Sequence, residues 1–252
     1  MKYTVPLLLL VVGLFAFSPP KAKIKSAEDL IKVMKEEAEK SPLMSYTFIQ
    51  ETIRYKDGKP GDPETWYEAV QYPDRLRIDL GDLENGRTAL YRSDSVYYFK
   101  DHELVRERPE VMEFLLLEGG IKVYSVEHVL KRMKDSGYDL SIFRKDKYLG
   151  RKVYVVGAKK GDLDAKQVWI DQERMSEVRR VDILPDGRKL EVQYLESTEV
   201  MNTWIPKQID FYMDGKMMQR EIYNDVKGNP ELDPRLFEPA QIDAWHWYGK
   251  KD

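Results

Sequence analysis

The strongest constraint on the fold is an alternation of apolar and polar residues between Arg151 and Pro239. In its clearest part, Leu190, Val192 and Tyr194 alternate with charged or polar residues, which is the period of a β-strand with one dry face. Asp-Gly pairs supply the positive-φ residues that tight hairpins require. Two of them separate such strands, at 186–187 and 214–215. The segment is therefore predicted to form an antiparallel meander whose apolar face the rest of the chain must cover.

The first half of the chain carries the same alternation. Between residues 75 and 80, Leu76, Ile78 and Leu80 are predicted to face inward and the residues between them outward. Turn-forming pairs such as Asn85-Gly86 divide this half into short strands. Along the whole chain the pattern predicts about 11 strands in a single domain that spans residues 23–252.

Three segments show the period of amphipathic helices instead. The first follows Ser26, a predicted N-cap with Asp29 three residues later. The second, residues 109–118, starts at a proline, is rich in large apolar residues and is followed by a predicted glycine stop at 119–120. The third spans residues 125–136. Together the elements indicate a mainly β protein of the α+β class, with a sheet curled around helices that are candidate lids.

The N-terminal segment, residues 1–22, is predicted to be an export signal. Lys2 precedes an uncharged apolar stretch from Leu7 to Phe17, which is shorter than the about 20 residues that span a bilayer but typical of a secretory signal. An uncleaved anchor is the alternative. Because the sequence has no cysteine, it offers no residue for a bacterial lipid anchor, and the exported protein is expected to be unlipidated.

No residue pattern predicts catalysis. The histidines, His102, His128 and His246, are far apart in the sequence and no cysteine accompanies them, so neither a metal site nor a cofactor site is predicted. The serines lack a nucleophile elbow, and no phosphate loop is found. Basic and acidic residues are nearly balanced, 41 against 44, which argues against nucleic acid as a partner. We therefore predict a protein that is not an enzyme.

The apolar positions of the strands and helices are candidates for a cavity that accepts acyl chains. The chain contains 10 Met, 16 Tyr, 8 Phe and 5 Trp, and flexible thioethers and large rings suit such a cavity. An ordinary packed core is the alternative. The candidate cavity and lid residues are Leu76, Ile78, Met112, Phe114, Leu115, Leu116, Val129, Leu130, Met133, Leu190, Val192, Tyr194, Ile209, Phe211 and Met218.

Several short motifs occur in a characteristic order. In the second half they are 168–171 (VWID), 204–209 (WIPKQI) and the tail residues Asn229, Leu232, Asp233 and Phe237. In the first half they are 45–50 (SYTFIQ), 72–77 (YPDRLR) and 91–99 (YRSDSVYYF). In this order the motifs resemble those of the outer-membrane lipoprotein-sorting proteins related to the periplasmic carrier LolA, and the resemblance covers most of the chain after residue 22.

The resemblance implies a half-open antiparallel β-barrel with helical lids over a hydrophobic cavity. It implies a monomeric periplasmic carrier that binds acyl chains of lipoproteins or lipids for outer-membrane delivery, with an inner-membrane release complex and an outer-membrane acceptor as partners. One position departs from the family: the carrier has an Arg, implicated in closing the lid, where this chain has Tyr72. The alternative function is a structural or protein-interaction module of the cell envelope with a filled core.

Overall fold

The computed structural model of the chain describes residues 23–242 and 246–248; the predicted export signal, residues 1–22, lies outside them. The strands are β1 (Ser45–Lys56), β2 (Lys59–Pro60), β3 (Glu64–Gln71), β4 (Arg75–Leu80), β5 (Thr88–Arg92), β6 (Ser95–Lys100), β7 (Glu103–Pro109), β8 (Phe143–Tyr148), β9 (Arg151–Val156), β10 (Gln167–Asp171), β11 (Glu177–Ile183), β12 (Lys189–Val200), β13 (Thr203–Met213) and β14 (Lys216–Gly228). They form one antiparallel sheet in the order β7-β6-β5-β4-β3-β1-β14-β13-β12-β11-β10-β9-β8, and β2 pairs only with β1.

The sheet is open, because β7 and β8 are its two edges. The mainly β class is confirmed, but the prediction of about 11 strands is wrong, since the described chain has 14. The edge strands explain part of the difference. β7 is exposed along its whole length. In β8, four consecutive charged residues, 144–147, lie between Phe143 and Tyr148. Neither strand buries a full apolar face, so neither shows the alternation that identifies a strand in a sequence.

Two of the predicted helices form as expected. α1 (Ala27–Ala38) begins at Ser26, whose side chain accepts a hydrogen bond from the Asp29 backbone N–H, and α4 (Val126–Asp135) begins at the N-cap Ser125. Their apolar faces pack together over β9 and β10 in one cluster of buried residues. Among the described helices, none is long and apolar enough to cross a membrane.

The middle helix differs from its prediction. Residues 103–109 are strand, and the helix begins after Met112, with α2 (Glu113–Leu115), a π-helical turn (Leu116–Gly120) and α3 (Ile121–Val123) in direct succession. We call residues 112–123 the lid segment. The predicted glycine stop is wrong because Gly119 and Gly120 are helical and buried. A Cβ on Gly119 would overlap the ring of Tyr72, so this glycine permits a close approach between the lid segment and the sheet.

The C-terminal tail covers the outer face of the first half of the sheet. Leu236 and Phe237 are buried there against Ala69, Leu90 and Phe99. Arg77 and Asp79, correctly predicted to face away from the inner side, are buried under the tail, where the Arg77 guanidinium donates to both oxygens of Asp79 at 2.8 to 3.1 Å. The imidazole of His246 lies 3.0 Å from the same carboxylate, so this histidine belongs to the polar group under the tail.

Candidate functional site

A cavity of about 270 Å³ lies between the inner face of the sheet and the lid segment. Its volume is near the lower end of the range for small-molecule sites, about 300 to 1,000 Å³. Alternate residues of eight strands line it, because successive side chains of a strand point to opposite faces. The strand residues in its wall are Tyr46, Phe48, Trp66, Glu68, Val70, Leu76, Ile78, Tyr91, Arg180, Tyr194, Ile209, Phe211, Gln219, Glu221 and Tyr223.

The N-terminal part of the lid segment covers this cavity. Met112, Phe114 and Leu115 contribute its helical wall, and the ring of Phe114 stacks on that of Tyr194 at a centroid distance of 5.5 Å. Phe114 also borders a second cavity of about 170 Å³, which lies between the lid segment, α1 and the turns that precede β11 and β13. Phe114 therefore belongs to the walls of both spaces.

A buried carboxyl group fixes the lid segment to the first half of the sheet. Glu118 Oε1 accepts hydrogen bonds from the hydroxyls of Tyr46 at 2.7 Å and Tyr72 at 2.6 Å. Burial raises the pKa of Glu118 to about 7, although the two tyrosine hydrogen bonds act to lower it. Tyr72, the position at which the sequence departs from the carrier family, is thus a hydrogen-bond donor to the lid segment.

A second carboxyl group fixes the same segment to the other half of the sheet. Glu113 accepts a hydrogen bond from Lys166 at 2.6 Å and another from the hydroxyl of Tyr138 at 3.0 Å. Arg180 and Asp182 of β11 lie beside this group, with Lys166 2.8 Å from Asp182. The lid segment is therefore held at two points, five residues apart, by polar groups from opposite halves of the sheet.

The wall of the larger cavity opposite these contacts is partly acidic. Glu68 of β3 is 3% exposed and Glu221 of β14 is 8% exposed. Burial raises the pKa of Glu68 well above its usual range, and the nearby charges of Glu221 and Asp79 raise it further. Burial likewise raises the pKa of Glu221 to about 7, against a hydrogen bond from Gln219. The cavity thus combines an apolar wall with two carboxyl groups that resist ionisation.

The structure brings eight of the sequence-predicted cavity residues together in the wall of the larger cavity. They are Leu76, Ile78, Met112, Phe114, Leu115, Tyr194, Ile209 and Phe211. Four others pack elsewhere, in the cluster between the helices and β9 and β10: Leu116, Val129, Leu130 and Met133. Val192 is buried in another cluster, which includes the cavity residues Tyr194 and Ile209, and Leu190 packs against that cluster. Neither Val192 nor Leu190 lines the cavity.

Met218 is the candidate that the structure contradicts. Its side chain is 38% exposed, whereas Gln219, Glu221 and Tyr223 of the same strand line the cavity. Because neighbours on a strand alternate between faces, Met218 lies on the opposite face from these residues. Met218 was predicted to line the cavity because it is apolar. Gln219 and Glu221 are polar, so the sequence suggested that their face of β14, which is the inner one, is solvated.

Sequence reasoning also missed the inner face of β1. Tyr46 and Phe48 of this strand line the cavity, and neither is among the candidates that the sequence analysis named. Phe48 stacks on Tyr223 at 4.0 Å between ring centroids. The size of Tyr46 and Phe48 was the available signal, and the polar residues that follow them on the same face obscured it.

Within residues 23–242 and 246–248, no group of three or more His, Cys, Asp or Glu side chains is placed to hold a metal ion. What the cavity residues provide is enclosure, apolar contact area and a small number of hydrogen-bonding groups.

No protein-family model and no curated protein sequence matches the chain. Similar solved structures include a LolA superfamily protein of Nitrosomonas europaea, at 12% identity over 85% of this chain and 98% of that one, with a TM-score of 0.54. A DUF1329 family protein of Desulfovibrio piger matches at 12% identity over 84% and 95%, with a TM-score of 0.57. A domain named as an outer membrane lipoprotein-sorting protein of Vibrio parahaemolyticus matches at 10% identity over 83% and 96%, with a TM-score of 0.55.

These likenesses extend over more than four fifths of the chain. The chain therefore has a LolA-like fold, and the resemblance predicted from the order of the motifs is confirmed at the level of the fold.

Proposed function

We propose that this chain is an exported, non-enzymatic carrier that binds an acyl chain of a lipid or lipoprotein in the cavity under the lid segment. The observation that carries the proposal is the 270 Å³ space itself, enclosed by apolar side chains such as Leu76, Ile209 and Phe211. Well-packed cores leave few voids larger than a water molecule. A space of this size, lined largely by apolar groups, fits an alkyl chain better than it fits water.

The energetics agree with reversible carriage. Each buried methylene contributes about 0.8 kcal/mol, so a chain with about ten buried methylenes gains roughly 8 kcal/mol before the costs of ordering are subtracted. The lid segment is held by polar contacts at Glu113 and Glu118 and by the packing of Leu115, Leu116 and Ile121. In this proposal, cargo enters and leaves when the polar contacts exchange for water and the segment shifts on its apolar neighbours.

The LolA-like fold supports a place for this carrier in the cell envelope. In this proposal the chain acts in the periplasm after removal of residues 1–22. It receives cargo from a release complex at the inner membrane and delivers it to an acceptor at the outer membrane.

A cavity-filling substitution tests the proposal. Ile78→Trp places a large ring in the space that Ile78 lines, so it should abolish binding of a neutral fluorescent dodecyl probe while leaving the melting temperature within a few degrees of wild type. The matched control is Val129→Trp in the packed cluster under α4, where no cavity is lined. Overpacking of a filled core costs about 1 to 3 kcal/mol or more, so this control should lose stability.

A structural module with a filled core predicts the reverse result. In that case the wild-type chain does not bind the probe, and Ile78→Trp destabilises the fold as much as Val129→Trp does.

A further inference from the structure

The wall of the larger cavity includes the carboxyl group of Glu68, a residue that is 3% exposed. Among the described residues, none forms a hydrogen bond or an ion pair with this carboxyl group. Burying a carboxyl group without a partner is costly, and buried polar side chains in folded proteins are nearly always hydrogen-bonded. The carboxyl oxygens of Glu68 are therefore available to accept a hydrogen bond from a ligand in the cavity.

Two more acceptor groups lie on the same part of the inner face. Glu221 lines the cavity, and its charge acts on Glu68. Gln50 pairs in register with Trp66 of β3 and with Tyr223 of β14, which places it between the strands that carry the two glutamates. The Gln50 side-chain oxygen is buried, and no described group hydrogen-bonds to it. This part of the wall thus presents the carboxyl groups of Glu68 and Glu221, and the unpaired Gln50 oxygen lies on the strand between theirs.

Among the described residues that line the cavity, Arg180 is the only cationic one, and acidic groups already neutralise it. The guanidinium of Arg180 lies 3.3 Å from Asp182, 3.6 Å from Glu177 and 3.8 Å from Glu113. Three acidic groups therefore surround it, and it has little positive field left for an anionic ligand. Glu68 has no described basic group paired with it, so this part of the cavity becomes negative when a ligand causes Glu68 to ionise.

We propose that the cargo is an amphiphile with a cationic, donor-rich head group such as a primary ammonium, held between Glu68 and Glu221 while its alkyl chain lies under the lid segment. An ammonium carries three donors and no acceptor, which matches the oxygens of this region. Charge-assisted hydrogen bonds of this kind are stronger than neutral ones. A carboxylate or phosphate head has no positive charge to stabilise an ionised Glu68 or Glu221, and either ionised group would repel it.

The position of the glutamate suits this orientation. Val70 pairs with Tyr46 and Leu76 in the sheet, and Tyr46 touches the lid segment through Glu118. Glu68 lies two residues further along β3, about 7 Å from Val70 along the strand. A head group at Glu68 therefore leaves the space nearer the lid segment, lined by Leu76, Leu115 and Phe114, for the alkyl chain.

This inference rests on the proposed function, and one competition assay separates the two. Dodecylamine, dodecanol and dodecanoate, each below its micelle concentration, compete at neutral pH with the neutral dodecyl probe. Dodecylamine is expected to bind at least about tenfold more tightly than dodecanoate, because a hydrogen bond to a charged group contributes about 1.5 to 3 kcal/mol. The double variant Glu68→Gln/Glu221→Gln should lose that preference and keep its affinity for dodecanol.

The control variant Glu36→Gln/Glu107→Gln makes the same two chemical substitutions at exposed positions and should keep the preference, which excludes adsorption to an acidic surface. A second measurement needs no variant. Because the Glu68 carboxyl resists ionisation in the empty cavity, an ammonium that ionises it should release about one proton. Calorimetry of dodecylamine binding in buffers of different ionisation enthalpy measures this release.

Equal affinity for the amine and the carboxylate, or a preference for dodecanoate, would overturn the head-group inference and leave the acyl carrier standing. Absence of proton release together with an unchanged preference in the Glu68→Gln/Glu221→Gln variant would overturn it as well. If neither the probe nor any of the three competitors binds the wild-type chain, the proposed carrier function itself is wrong.

Discussion

Glu118→Gln is expected to remove the contribution of one buried carboxyl group to the pH dependence of the free energy of unfolding. Burial raises the pKa of Glu118 from 4.5 to about 7, so between these values the folded chain holds a proton that the unfolded chain has lost. The free energy of unfolding therefore falls as the pH rises through this window. The full shift corresponds to about 3 kcal/mol, of which about 2.5 kcal/mol is lost between about pH 5 and about pH 8. Glutamine keeps an oxygen that accepts from Tyr46 and Tyr72 but does not titrate.

Urea unfolding of the wild-type chain and the variant, at both pH values, measures the difference directly. The loss of stability on going to high pH should be about 2.5 kcal/mol smaller in Glu118→Gln than in wild type. Glu36→Gln on the exposed face of α1 is the control and should follow the wild-type curve. Parallel curves for wild type and Glu118→Gln would refute the reasoning, because they would mean that Glu118 has the same proton affinity in both states.

Two further substitutions test the packing around the cavity. Gly119→Ala puts a methyl group where the ring of Tyr72 lies and should cost about 1 to 3 kcal/mol in urea unfolding, whereas a Gly119→Ala chain as stable as wild type would mean that the lid segment does not pack on Tyr72. Val192→Asp, at a side chain that is 2% exposed, should cost several kcal/mol of unfolding free energy because it buries an unpaired charge. The control, Glu199→Lys at an exposed position of the same strand, should change that free energy by less than about 0.5 kcal/mol. Equal effects of the two substitutions would refute the register of β12.

The alternation of apolar and polar residues predicted the sheet well where one face is dry and the other wet. Leu76 and Ile78 line the cavity as their spacing required, and Asp214-Gly215, with φ values of 49° and 75°, joins β13 to β14 in a tight hairpin. These features depend on residues close in sequence, so a local pattern contains enough information to place them.

The acidic wall of the cavity could not be predicted in this way. Glu68 and Glu221 occupy inward positions on their strands, which a rule of apolar-in and polar-out assigns to solvent. Likewise Gly119 has the sequence signature of a helix stop, but its role is set by the ring of Tyr72, which lies 47 positions earlier in the chain. Such roles depend on contacts between distant residues and become visible only when the strands are placed side by side.

The buried ion cluster is a similar case. The cluster contains Glu113 of the lid segment, Lys166 just before β10 and Arg180 of β11. In the sequence, nothing distinguishes any of them from other charged residues. Only the folded chain brings them together, because the lid segment crosses the inner face of β11. The sequence therefore predicted that helices cover the sheet, and left open how they are fastened to it.

The most direct test of the central claim is native mass spectrometry of the chain released from its own cells without detergent. The carrier proposal predicts a wild-type chain with one bound molecule that contains an alkyl chain, and an Ile78→Trp chain of equal folded yield with none, since the tryptophan occupies the space that Ile78 lines. A ligand-free wild-type chain, or the same bound mass in both chains, would contradict the claim that the cavity under the lid segment carries the cargo.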